Sequence, residues 1–118
     1  MDATTQTPQT PQEMHQIALH ILNQRLAALE SAKHEEWSAT CDHEEEMDRV
    51  SLLRSAVRRL RDIHENEDDA LVGDALEMLV ARLSRYEDDL NAAKEALRAA
   101  RSKTKDAQRL VDQMVKSA

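Results

Sequence analysis

From Val72 to Met114 the seam-forming residues fall on two interleaved sets of sevens. Leu76, Leu83, Leu90, Leu97, Thr104 and Val111 form one set; Val72, Leu79, Tyr86, Ala93, Ala100, Ala107 and Met114 form the other. A repeat of this kind, held without a skip, specifies a long helix with a narrow apolar stripe, and such a stripe is stable only against another helix. Whatever the chain folds into must therefore supply a partner along that whole seam. With one Gly, two Pro and no Phe among 118 residues, the partner is also helical and the fold class is all-α.

The remaining sequence supplies two candidate partners. Thr10-Pro11-Gln12-Glu13 puts a hydroxyl at an N-cap, proline at the first helical position and glutamate three residues past the cap, a capping box. It predicts a domain spanning residues 10–118 behind a disordered N-terminal tail, residues 1–9, rich in Thr, Gln and Pro. Leu19, Leu22, Leu26 and Leu29, widened by Met14, Ile17 and Ile21, predict a first helix ending near Ala32. Trp37, Cys41, Met47, Val50, Leu53, Val57 and Leu60 predict a second, from about residue 35 to His64, with a turn at Glu65–Asp69 before the third.

The expected architecture is an antiparallel bundle of three long helices. At 1.5 Å per residue the second is roughly 45 Å long and the third roughly 70 Å, so about twenty C-terminal residues overhang. Small seam residues, Ala100, Thr104 and Ala107, make Ser102–Lys105 the candidate hinge, residues 98–106 being either continuous helix or a hinge. A break near residues 100–105 would let a fourth helix fold back over the others; otherwise the overhang pairs with a second copy or another protein.

The stretch HEEWSATCDHEEEMD, residues 34–48, gathers two histidines, the one cysteine and seven carboxylates. Ligands on one helix must be three or four residues apart to share an ion, and His34, Cys41 and His43 do not meet that spacing. Of the two histidines only His43, with Glu46, has a carboxylate of the stretch at that spacing, and two ligands fall short of a metal site. No Gly-rich phosphate loop or strand-borne nucleophile is present, so no enzyme, cofactor or metal is predicted. Cys41 reads as a small packing residue.

A net charge of −7, with Trp37 and Tyr86 as the aromatics, disfavours nucleic acid as a general partner and favours protein. Arg49, Arg54, Arg58, Arg59 and Arg61 read mainly as a solvated face pairing with acids such as Asp74 and Glu77; an RNA-binding stripe is the rival reading. No leader peptide and no membrane-spanning stretch is evident, which predicts a cytoplasmic location.

Leu26-Ala-Ala-Leu29-Glu30-Ser-Ala-Lys, then Glu36-Trp37, then Arg49-Val50-Ser-Leu52-Leu53, then a long Leu-rich helix with a separable end, resembles the FliT-type flagellar export chaperones. The similarity covers about residues 12–115, with His34-Glu35 where the family usually has a glycine before the tryptophan; FlgN-type and other type III secretion chaperones share the plan. The resemblance implies a chaperone that binds an amphipathic helix of a filament-cap or filament-junction subunit and delivers it to the export ATPase components. On this chain the client groove would be Val50, Leu53, Val57, Leu76, Leu79, Leu83, Tyr86 and Leu90. Leu110, Val111 and Met114 would be a C-terminal plug masking it, and Trp37 an anchor at the helix junction. A structural or regulatory homodimer through the C-terminal heptads is the alternative.

Overall fold

The computed structural model describes residues 10–67 and 69–117; the tail expected over residues 1–9 lies outside them. The chain begins as its capping box dictates. Glu13 N donates to Thr10 Oγ1 at 3.1 Å and Thr10 N to the Glu13 carboxylate at 3.2 Å, satisfying two backbone donors at the helix start. From there α1 runs unbroken over Pro11–Asn66, and α2 over Ala70–Ser117. Together they make one antiparallel hairpin, 93 × 29 × 14 Å, with no strand among the described residues.

The three-helix expectation is thus corrected to two. No break occurs at residues 31–36, so the segments read as first and second helices are one, and Trp37 sits inside α1 and not at a junction. At 56 residues α1 is about 84 Å long and exceeds the roughly 72 Å of α2. The C-terminal overhang disappears, and with it the reason for a fourth helix or a free C-terminal seam. Residues 98–106 are continuous helix.

Cross-helix contacts fix one register. Going down α1 and up α2, His64 lies beside Gly73, Arg54 pairs with Glu87 at 3.5 Å, Glu35 with Lys103 at 2.9 Å, and Arg25 Nη1 donates to Leu110 O at 3.1 Å. These ion pairs are exposed and contribute little energy, but they agree on the pairing. Thr104 Oγ1 lies 3.2 Å from Ala32 O and 3.1 Å from Ala100 O, so its one proton is shared between the two helices. Ala32 and Ala100 are both buried there. At the small residues read as a hinge the helices approach closely enough for a side-chain hydroxyl of one to reach a backbone carbonyl of the other.

Every residue of the two α2 sets of sevens is buried or half-buried, so the heptad pattern is the seam. Its counterpart on α1 keeps the same period through Leu22, Arg25, Leu29, Ala32, Glu36, Ala39, His43, Glu46, Val50, Leu53, Val57 and Leu60, all buried or half-buried. Leu29, Val50, Val57, Leu90, Leu97 and Val111 are its most buried large side chains, each worth about 1.5–3 kcal/mol of transfer free energy.

The hairpin closes through three residues, Glu67 to Asp69. Glu67 N donates to Ile63 O at 2.7 Å, and Asp69 caps α2 by accepting from Leu71 N at 2.9 Å. Gly73 follows at the first crossing, where an added Cβ would lie 3.2 Å from His64 Cε1. His64 is exposed and its ring can yield by a few tenths of an ångström. Gly73→Ala should therefore express the helix propensity gain, raising stability by about 0.5–1 kcal/mol in urea denaturation. Asp69→Ala should lower it by about 1 kcal/mol through loss of the cap.

Candidate functional site

The seam is mainly apolar toward both ends, with Arg25 the exception near the open end, and polar in the middle. There α1 presents Glu36, His43 and Glu46, and the register sets them against the α2 stretch carrying Ala93, Leu97 and Ala100. Glu46 Oε1 accepts from Arg49 at 3.0 Å, while Glu46 Oε2 and His43 Nε2 are buried without a hydrogen-bond partner. Each such atom costs about 1–3 kcal/mol relative to a satisfied one.

Clefts open on either flank of this polar layer, with opposite charge. With the sevens through Val50 on α1 and Leu90 on α2 as heptad position a, and those through Leu53 and Tyr86 as position d, the flank formed by positions c and g holds a cleft of about 570 Å³ lined by Glu35, Asp42, Glu45, Glu46 and Asp89 over Ala92, Ala93 and Ala96. On the flank formed by positions b and e, His43 and Leu97 floor a cleft of about 470 Å³ walled by Lys94, Arg98, Arg101 and Lys105. Among the described residues no group of three or more His, Cys, Asp and Glu is close enough to hold a metal ion. His34 stacks on Trp37 with ring centroids 6.1 Å apart, away from His43 in the seam.

The residues assigned to a client groove do come together, but as the filled half of the seam near the loop. Val50, Val57 and Leu90 are buried and Leu53, Leu76, Leu79, Leu83 and Tyr86 half-buried against the opposing helix. A client helix has no space between them. The proposed plug is at the other end: Val111 is buried in the seam and Leu110 is 39% exposed, while Met114 lines a cleft with Leu19 and Leu22. Leu110, Val111 and Met114 therefore cannot mask Val50 to Leu90 in this fold. Trp37 is 64% exposed, with its ring stacked on His34. Of the arginine run, Arg54 reaches Glu87 and not Asp74 or Glu77.

A two-helix hairpin has a single seam, so many large apolar residues outside positions a and d stay in solvent. On the c/g flank these are Met14, Ile17, Ile21, Leu52, Ile63, Leu71, Met78 and Leu110; on the b/e flank, Leu19, Leu26, Trp37, Met47, Val80 and Val115. At the open end the seam gapes into an apolar cleft of about 590 Å³ lined by His15, Ala18, Leu19, Leu22, Arg25, Gln113, Met114, Val115 and Ser117. Leu52, Leu71 and Met78 escape a reading that searches for buried stripes. Their signal is the seven-residue phase, carried through Glu36 and His43 for Leu52 and read from the α2 sevens for Leu71 and Met78, which sets them beside the seam.

Comparison with family models finds no match, and comparisons with curated proteins and with solved structures find none either. No helix of the described residues is long and apolar enough to cross a membrane.

Because His43 and Glu46 occupy apolar seam positions with unpaired atoms, His43→Leu/Glu46→Leu should stabilise the hairpin. The expected gain is about 1–3 kcal/mol, the loss of the exposed Arg49 pair costing a few tenths. A raised urea midpoint with unchanged slope is the expected result.

Proposed function

We propose that this chain is a non-enzymatic helix-binding protein that takes an apolar helix of a client protein into its open-end cleft. The observation that carries the reading is the gaping seam. Leu22 and Met114 are half-buried seam residues, and beside them Leu19 is 45% and Val115 64% exposed around a space of about 590 Å³. An incoming amphipathic helix presents side chains at i, i+3 and i+4, the spacing on which an apolar furrow between two helix ends would receive them.

The resemblance to FliT-type chaperones supplies the client class: a filament-cap or filament-junction subunit, bound in the cytoplasm and passed to the export ATPase components. In this reading the client occupies the open end, and no C-terminal plug has to leave. The structural features behind the resemblance, a helix break before Trp37 and a separable last helix, do not support it further, since both stretches are continuous helix. The support is the cleft and the exposed residues around it.

Calorimetric titration of the full chain with a flagellar filament-cap subunit tests the proposal. Binding in the micromolar range is expected, weakened at least about tenfold, or about 1.4 kcal/mol, by Leu19→Glu/Val115→Glu. Absence of binding would remove the export-chaperone form, and an affinity indifferent to the double substitution would remove the cleft.

A further inference from the structure

The hairpin exposes more surface than a chain of its mass should. A folded monomer of 13.4 kDa is expected to expose roughly 6,500 Å², whereas this one exposes 9270 Å². The excess, roughly 2,000–3,000 Å², is well above the roughly 800 Å² per partner that a stable protein interface buries. We propose that the c/g flank is covered by a second copy of the chain, making a four-helix bundle from two hairpins that lie side by side with their loops at the same end.

The flank is patterned for this. Its apolar residues form two clusters, Met14, Ile17, Ile21 and Leu110 at the open end, and Leu52, Ile63, Leu71 and Met78 at the loop end. Between them α2 offers the exposed small residues Ala92, Ala96 and Ala99, which let another helix approach, and α1 offers Glu35, Asp42 and Glu45. The other flank lacks that arrangement, because its centre is occupied by Lys94, Arg98, Arg101 and Lys105.

Charge chooses the alignment. A two-fold axis running along the hairpin lays α1 of one copy over α2 of the other at equal height. Ile21 of one copy then comes within about a turn of the level of Leu110 of the other, and Ile63 within about a turn of Leu71 and Met78, while the α1 carboxylates face alanines and Lys103 of the other copy. A two-fold axis across the hairpin instead lays α1 over α1, setting Glu35, Asp42 and Glu45 against the same carboxylates in a water-poor interface, where like charges repel strongly. The interface is isologous and closed, so association stops at two. It leaves the b/e flank free, and it does not depend on the client reading above.

Light scattering on the full chain alone tests the dimer without any client. A mass twice 13.4 kDa is expected at tens of micromolar. Leu52→Glu/Met78→Glu should raise the dissociation constant at least about 100-fold, since it desolvates four charges per interface, while Met47→Glu/Val80→Glu on the opposite flank should leave it unchanged. For alignment, a spin label on Glu67→Cys in a Cys41→Ala background reports whether the loops are together. A label separation within about 30 Å is expected, as helices in a bundle pack about 10 Å apart. A monomer at 100 micromolar or above, or a dimer equally sensitive to both double substitutions, would overturn the proposal. A separation approaching the 93 Å length of the hairpin would overturn the alignment.

Discussion

Pairing of the α2 heptads with an in-phase set on α1 holds this structure together, since among the described residues neither helix has another helix to pack against. Isolated helices gain little in water from propensity alone, so each of these long helices depends on the other's apolar stripe. The stripe is strong at both ends, through Leu29 with Val111 and through Val50, Val57 and Leu90, and weak at the centre, where Glu36, His43 and Glu46 interrupt it. What carries the helices through the centre is closeness. Ala32, Ala100 and Thr104 bring the backbones near enough for a side-chain hydroxyl to reach the opposite carbonyl.

The same centre explains what could and could not be read from the residues. The α2 seam was legible to the residue, because thirteen positions hold their period with mostly apolar occupants. The capping box at Thr10 was equally plain, since it is local chemistry. On α1 the apolar residues Trp37 and Met47 drew the stripe onto the wrong face, and the polar occupants at Glu36, His43 and Glu46 hid the right one. The supposed helix break and the overhang followed from that slip in phase, whereas the plug came from the resemblance. Once α1 is one helix, Val50 to Leu90 is a closed seam and the accessible apolar surface moves to the open end and the flanks.

A thin hairpin makes surface where a thicker bundle would make core. Leu52, Leu71 and Met78 would be unremarkable inside a four-helix bundle; here they are 73%, 78% and 62% exposed. The two flanks differ in charge at their centres, acidic where alanines line α2 and basic where arginines and lysines do, so they are not interchangeable docking faces. On the two proposals, one chain presents an end cleft for a helical client and a flank for its own copy. Both follow from having one seam for two amphipathic helices.

Amide hydrogen exchange across residues 28–50 tests the continuity of α1 most directly, since it reads backbone opening where the polar centre lies. Protection at Lys33 to Trp37 should match that of the helix on either side, within about tenfold. Exchange there at the rate of an unstructured peptide, between protected flanks, would mean that α1 is two helices and that the pairing described here is wrong.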